Sequence, residues 1–96
     1  MTKADIVAEI AEKTGIEKVD VQTTLEAFMK EVKESLEGGE NVYLRGFGSF
    51  IIKERDKKTG RNISKNTTII IPAHNIPSFK PAKVFVDSVK TKVEVK

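Results

Sequence analysis

A long polar run in the middle of the chain limits the folds that this sequence can adopt. From Lys53 to Thr68 the sequence reads KERDKKTGRNISKNTT, in which Ile63 is the only apolar residue. A segment with one apolar side chain cannot bury itself against a core. Strand-like runs nevertheless flank it, VYLRGFGSFII before and TTIIIPA after, both rich in β-branched or aromatic residues. The pattern favours a hairpin whose base is packed and whose distal part projects into solvent. A disordered surface loop is the alternative.

Positive charge is concentrated in the same part of the chain. Residues 1–40 contain five lysines and ten acids, whereas residues 41–96 contain twelve bases and four acids. The two parts therefore carry formal charges of −5 and +8 within a total of +3. This separation predicts a basic half suited to a polyanion. The polar run supplies six of the bases, namely Lys53, Arg55, Lys57, Lys58, Arg61 and Lys65.

The acidic first part is predicted to form two helices. Thr2 is a candidate cap of the first helix, with Asp5 completing an aspartate version of the capping box, and Gly15 ends that helix. The second helix is predicted from Lys18 to about Glu37. Its apolar stripe is wider than the short first helix could cover, which favours contact with a second subunit over packing inside a monomer. The stripe contains Val21, Leu25, Phe28, Met29, Val32 and Leu36.

The second part is predicted to form strands and a short helix. Strands are expected at residues 42–45, from Ser49 into the polar run, and back through residues 69–71. Turn-forming residues Thr59, Gly60, Arg61 and Asn62 are expected at the tip of the hairpin. The fold class is therefore α+β, with two N-terminal helices, a three-stranded antiparallel sheet with a long protruding β-hairpin arm, and a short C-terminal helix.

Prolines are expected to mark the ends of elements near the C-terminus. Pro72 and Pro77 bound the exit from the strands, because proline is confined to sheet edges and strand ends. Pro81 stands where the first residue of a helix would be. We expect a single domain in which residues 1–40 serve dimerisation, residues 41–79 form the sheet and arm, and residues 80–96 form the last helix and a tail.

Several other classes of protein are disfavoured by the same residues. A helix-turn-helix would bring the acidic second helix between DNA phosphates, which would repel it. The chain has no cysteine and one histidine, so a metal cluster is not expected within one chain. His74 has no nucleophile–base constellation around it, fits a polar residue at a strand end, and gives no basis for an enzyme. No apolar stretch has membrane-spanning length and the first residues are not signal-like, so we expect a cytoplasmic protein without a membrane partner.

Three short motifs give the chain a family resemblance. GFGSF at residues 46–50, TGRN at residues 59–62 and IPSFKPAK at residues 76–83 resemble the bacterial HU/IHF family of DNA-bending proteins. The resemblance runs from Thr2 to about Lys90 without a gap, and RGFGSF is more similar to the IHF side of the family. It implies an intertwined homodimer, or a heterodimer with a paralogue, in which helices lie below a saddle of strands. It also implies two β-arms that reach around DNA into the minor groove.

The resemblance implies a histone-like, nucleoid-associated protein that binds and bends double-stranded DNA, with no cofactor and no small-molecule substrate. A β-ribbon regulator that reads one DNA sequence is the alternative. Where the family usually has proline after GRN, this chain has Ile63, and Asn66 stands at a usual turn glycine. Isoleucine is among the apolar wedges that unstack base steps.

The charge pattern, the apolar stripe and the family resemblance together predict two sets of residues, one that contacts DNA and one that forms the dimer interface. Arg61 and Asn62 have donors for minor-groove acceptors, and the bases of the arm and body can neutralise phosphates. The predicted DNA contacts are Arg45, Gly46, Ser49, Lys53, Arg55, Lys57, Lys58, Arg61, Asn62, Ile63 (intercalating), Lys65, Lys80 and Lys83. The predicted dimer contacts are Val21, Leu25, Phe28, Met29, Val32, Leu36, Phe47, Phe50 and Phe79.

Overall fold

The structure is a computed structural model that describes residues 1–56, 58–62 and 67–95, and of residues 58–62 and 67–71 the backbone alone. Its elements in chain order are α1 (Lys3–Thr14), α2 (Lys18–Glu37), β1 (Val42–Leu44), β2 (Gly48–Arg55), β3 (Lys58–Asn62), β4 (Thr67–Ile71), β5 (His74–Pro81) and α3 (Lys83–Lys92). The predicted α+β class, with two helices followed by an antiparallel sheet and a last helix, is confirmed. The chain divides into two compact units, residues 1–35 and residues 36–96.

The start and end of α1 are fixed by local hydrogen bonds. The Asp5 amide donates to Thr2 Oγ1 at 3.3 Å, and the Thr2 amide donates to Asp5 Oδ2 at 2.9 Å. Hydrogen bonding to the Asp5 carboxyl, first from the Thr2 amide and second from the Thr2 side chain, lowers the pKa of Asp5 because it stabilises the charged form. Gly15 ends the helix with a φ of 77° and donates to the Ala11 carbonyl. The predicted capping box and helix end are therefore confirmed.

The second unit contains a three-stranded antiparallel sheet in the order β1-β2-β5, with β2 in the centre. Its third strand is β5, whereas the sequence pattern had suggested residues 69–71. Pro77 lies inside β5 opposite Ile52 rather than at the end of the strand region. Because β5 is an edge strand of this sheet, a proline without an N–H is tolerated within it.

Beyond the sheet, β3 and β4 form a separate two-stranded antiparallel ribbon. Its pairs run from Lys58 opposite Ile71 to Asn62 opposite Thr67. The prediction that residues 59–62 form the turn is therefore wrong. Gly60 is paired with Ile69, because strand pairing outweighs the turn preference of an isolated glycine. Residues 63–66, which connect the two strands, lie outside the described residues.

One face of the three-stranded sheet is apolar and carries an aromatic cluster. Val42 is opposite Phe50, and Phe50 is opposite Phe79 on the next strand, which places all three on the same face. The rings of Phe50 and Phe79 have centroids 5.0 Å apart, and Phe47 lies 5.2 Å from Phe79. Phe47 also stacks on Phe85 of α3 at 5.6 Å. This cluster attaches α3 to the β1–β2 turn and the sheet.

Close packing at Gly48 fixes the junction between the sheet and α3. A Cβ atom at Gly48 would lie 2.6 Å from Phe79 Cζ and 2.7 Å from the Lys80 carbonyl oxygen. Only glycine therefore lets β5 and the Phe79 ring approach β2 this closely. Pro81 is opposite Gly48 and is the last residue of β5, so the prediction that it begins the helix is wrong. Ala82 is the N-cap of α3.

Candidate nucleic-acid interface

The second face of the sheet is polar and basic. Tyr43 is opposite Ser49, and Ser49 is opposite Lys80, so these three side chains form one row across the sheet. Because side chains alternate along each strand and the pairing has no bulge, the remaining members follow from the register. We call the set the polar face, and it contains Tyr43, Ser49, Ile51, Lys53, Arg55, His74, Ile76, Ser78 and Lys80. No acid belongs to it, since Glu54 is on the apolar side with Asn75.

At one end of the polar face, the β1–β2 turn and the start of α3 form an open cleft of about 630 Å³. The turn is closed by a bond from the Phe47 amide to the Leu44 carbonyl at 3.0 Å. Gly46 occupies its third position with a φ of 81°, a conformation that glycine adopts without strain. The Phe47 carbonyl in turn accepts from the Ala82 amide at 2.9 Å, which ties the turn to the helix start.

The cleft concentrates positive charge from three different elements. Arg45 comes from the turn, Lys80 from β5 and Lys83 from the first turn of α3, and all three line the cleft together with Gly46 and Ser49. Ala82 supplies no capping side chain, and the first turn of α3 contains no acid. The positive end of the helix dipole therefore adds to the charge of the side chains. An anion would be attracted to this cleft.

The cations of the polar face and cleft form no ion pair with any side chain that the structure describes. The ion pairs among the described side chains are Lys3–Glu26, Lys13–Glu9 and Lys30–Glu34, all within the first unit. In the part of the chain that the structure describes, no ion pair involves Arg45, Lys53, Arg55, Lys80 or Lys83, and all five residues are exposed. Such a surface is suited to bind a polyanion rather than to stabilise the fold.

The predicted DNA contacts on the three-stranded sheet and in the cleft, which we call the body, thus lie on one surface. The predicted contacts on the arm are located only in part. Lys58, Arg61 and Asn62 lie on β3, where the structure describes the backbone. The predicted contacts Lys57, Ile63 and Lys65 lie outside the described residues. Arg55 ends β2 opposite His74, so the polar face leads to the base of the ribbon.

His74 is the first residue of β5, and its Nδ1 lies 2.9 Å from the Pro72 carbonyl oxygen. The prediction of a polar residue at a strand end is confirmed. Among the described residues no group of three His, Cys, Asp or Glu side chains could hold a metal ion. No described helix is long and apolar enough to cross a lipid bilayer.

The predicted dimer contacts differ in how much of each side chain one chain covers. Val21 and Val32 are buried within the chain itself. Leu25, Leu36 and Phe50 are half-buried. By contrast, Phe28, Met29, Phe47 and Phe79 are between 37% and 47% exposed, which is unusual for large apolar side chains.

Two apolar grooves accompany these exposed residues. One, of about 320 Å³, lies in the first unit and is lined by Ile10, Leu25 and Phe28 among others. The other, of about 290 Å³, lies between β5 and α3 and is lined by Phe79, Phe85 and others. Both are surfaces that a single chain leaves open to water.

Sequence reasoning missed part of the polar face. Tyr43, Ser78 and His74 belong to it but were not among the predicted contacts. Tyr43 could have been found from the period of two along β1, because it precedes Arg45 by two residues in a strand-like run. Ser78 could not, since Pro72 and Pro77, which precede it, indicate the end of the strands.

Comparison with known proteins gives this arrangement a family. The family model described as "Bacterial DNA-binding protein" matches residues 1–90. The chain belongs to this family, the HU/IHF family. It is 41% identical over 90 residues to the DNA-binding protein HU of Thermus thermophilus, covering 94% of this chain and 93% of the relative. It is also 41% identical over 83 residues to the integration host factor subunit alpha of Aliivibrio fischeri, covering 86% and 85%.

Solved structures of the HU/IHF family have the same fold. The HU chain of an Anabaena HU–DNA cocrystal structure matches with a TM-score of 0.88 and 36% identity, covering 93% of this chain and 97% of that one. HU from Thermotoga maritima matches with a TM-score of 0.66 and 28% identity, covering 93% and 98%. The family expected from the three motifs is therefore confirmed over most of the chain.

Proposed function

We propose that this chain is an architectural protein that binds double-stranded DNA and bends it. The observation that carries the proposal is the polar face, which contains no acid and has a β-ribbon leading away from one end. Five cations in and beside it have no ion pair among the described side chains. Phosphates are the ligand that such a face fits, because each Lys or Arg that pairs with a phosphate releases a counterion. The relatives named above, HU and integration host factor, are proteins of the same family.

The two parts of the surface have different tasks in this proposal. On the body, Arg45, Lys53, Lys80 and Lys83 bind phosphates and fix the orientation of the duplex, while the Gly46 turn and Ser49 let the backbone approach. These contacts carry no sequence information. Binding by the body is therefore expected on duplexes of any sequence.

The β3–β4 ribbon is the arm that enters the minor groove. Arg61 and Asn62, near the distal end of β3, have donors for adenine N3 and thymine O2. Lys57, Lys58 and Lys65, with Arg55 at the base, pair with phosphates along the way. Ile63 acts as the wedge that opens a base step, at a cost of a few kcal/mol that the contacts of the bent DNA offset.

The functional unit is a dimer. The open apolar grooves and the exposed Phe28, Phe47 and Phe79 need a second subunit to cover them. A chain of this size with three buried apolar residues among those described, Val7, Val21 and Val32, has little core of its own. We propose a homodimer, with a paralogue as an alternative second subunit, in which residues 1–40 contribute most of the interface. Residues 41–79 then form the sheet and arm, and residues 80–96 the last helix and tail.

In a bacterial cell this activity places the protein on the nucleoid in the cytoplasm, where bent DNA is compacted or made ready for other DNA transactions. No catalytic role is assigned to it. A β-ribbon regulator would instead read one site in the major groove.

Competition binding distinguishes the two functions. A labelled duplex is bound at physiological salt and displaced by unlabelled duplexes of unrelated sequence and equal length. An architectural protein is displaced by all of them at similar concentrations. A regulator prefers its own site over other sequences by about 10³-fold or more, so one privileged sequence that the protein binds without bending it in a circular permutation assay would refute the proposal.

A further inference from the structure

Tyr43 is a large aromatic residue that the sheet leaves in solvent. It is 72% exposed, more than any phenylalanine of the chain. Tyr43 is the middle residue of β1. Its neighbours Val42 and Leu44 point to the opposite face of the sheet, because side chains alternate along a strand. No ring contact of Tyr43 exists among the described residues. Its exposure therefore calls for a role on the surface rather than in the core.

Asn41 ties the Tyr43 hydroxyl to the backbone of the central strand. The Ile52 amide donates to Asn41 Oδ1 at 3.0 Å, and Asn41 Nδ2 donates to the Tyr43 hydroxyl oxygen at 3.2 Å. Because a backbone N–H requires an acceptor, the first bond identifies the Asn41 side-chain atom that faces Ile52 as the oxygen. The amide nitrogen must therefore face Tyr43.

This orientation determines what the Tyr43 hydroxyl can offer to a ligand. Its oxygen already accepts from Asn41, so the hydroxyl hydrogen remains available to donate. The side chain is held by a chain of two hydrogen bonds, and little of its freedom is left to be lost on binding. The Tyr43 hydroxyl is thus a preorganised hydrogen-bond donor on the surface.

The residues around Tyr43 indicate what kind of acceptor its hydroxyl would bind. It lies in one row with Ser49 and Lys80, and it lines the same cleft as Arg45 and Lys83. A donor among cations, with no acid on the polar face, fits an acceptor that carries negative charge. Tyrosine hydroxyls are among the side chains that donate to phosphate oxygens in DNA complexes.

We propose that Tyr43 donates a hydrogen bond to a phosphate oxygen of the DNA backbone, and that Asn41 is the positioning residue for this bond. The inference rests on the proposed DNA binding and adds a contact of a different kind. A neutral donor displaces no counterion, so the Tyr43 contact strengthens binding without contributing to its salt dependence. The contact is also independent of sequence, since phosphates carry no sequence information.

Salt titrations with three proteins test this contact. The parent, Tyr43→Phe and Lys80→Gln are titrated onto one random-sequence duplex at several salt concentrations. Tyr43→Phe is expected to bind about 3- to 10-fold more weakly for each copy that contacts DNA, at every salt concentration, which is the typical net contribution of one solvent-exposed hydrogen bond. Its slope of log K against log salt stays equal to that of the parent. Lys80→Gln weakens binding and also reduces the slope.

A double-mutant cycle tests the role of Asn41. Asn41→Ala is expected to weaken DNA binding by less than Tyr43→Phe does, and to have no further effect on affinity when combined with Tyr43→Phe. A merely structural role predicts the opposite, because loss of the bond to Ile52 would then weaken binding to the same extent with or without the hydroxyl. Thermal unfolding of each variant shows whether the fold is intact.

Two results would overturn the inference. Tyr43→Phe that binds as tightly as the parent means that the hydroxyl contacts no phosphate. Tyr43→Phe that also lowers the salt slope means that the change disturbs the cations around it. In both cases the parent still binds DNA with a steep salt dependence, whereas a parent that does not bind refutes the proposed function itself.

Discussion

Removal of one cation from the cleft should change the salt dependence of DNA binding by a calculable amount. The described part of each chain presents five unpaired cations in or beside the polar face, namely Arg45, Lys53, Arg55, Lys80 and Lys83. A dimer doubles that number, and the arms add further bases. If about eight to twelve of these pair with phosphate, the slope of log K against log salt is steeper than about −7, since each pair contributes about −0.9.

Lys80→Gln is the informative perturbation because the position of Lys80 is well defined. It lies opposite Ser49 on the polar face and also lines the cleft, and it has no ion pair among the described side chains. Glutamine keeps the length of the side chain and removes its charge. The slope should become shallower by about 0.9 for each Lys80 that contacts phosphate, which is about 1.8 for a dimer. The loss of affinity should be similar on all sequences.

The assay is fluorescence anisotropy of a labelled duplex, titrated at several salt concentrations. Lys33→Gln is the matched control, since Lys33 is an exposed lysine on the acidic helix α2 with no ion pair among the described residues. Its slope should equal that of the parent. A parent slope near −2 would show that the basic half is solvated surface. Equal slopes for Lys80→Gln and the parent would show that Lys80 contacts no phosphate.

Three further predictions concern the fold. The midpoint of thermal unfolding should rise with protein concentration, because only a dimer covers the apolar grooves; a midpoint independent of concentration, together with a monomer mass in sedimentation, would contradict this. Gly48→Ala should destabilise the protein by about 1–3 kcal/mol in urea unfolding, because the added Cβ would lie 2.6 Å from the Phe79 ring and 2.7 Å from the Lys80 carbonyl; an unchanged midpoint would mean that β5 moves away at no cost. Asp5→Asn should lower the stability at neutral pH, because a carboxylate with a lowered pKa stabilises the native state above its unfolded pKa. That difference should vanish as the pH falls through the folded pKa of Asp5, and a difference that persists in acid would refute the capping explanation.

The helices could be predicted from sequence because their limits depend on local chemistry. The hydrogen bonds that begin α1 at Thr2 and the left-handed residue that ends it at Gly15 involve neighbours in the chain. The bounds of α2 follow from its apolar period and the glycines after it. These features need no knowledge of the rest of the fold.

The strands were predicted less well because their limits depend on distant partners. Pro77 suggested a strand end, and only the register with Ile52 shows that β5 is an edge strand that accepts it. Gly60 suggested a turn, yet it is paired with Ile69. The cleft could not be derived either, since it needs the Phe47 carbonyl to hold the start of α3. Each of these contacts is nonlocal, and a local preference of a few tenths of a kcal/mol does not decide it.

DNA bending is the main activity proposed for this protein, and the distance between the two ends of a bound duplex reports on it. A duplex of about 30 base pairs carries a donor and an acceptor dye at its two ends, and energy transfer is measured at saturating protein. The parent protein should raise energy transfer strongly. Ile63→Ala should raise it less and Ile63→Pro as much as the parent, because the side chain at this position opens a base step. Equal energy transfer with Ile63→Ala and the parent would show that Ile63 is not a wedge. If energy transfer at saturation stays at the value of free DNA, the protein does not bend DNA and is not an architectural protein.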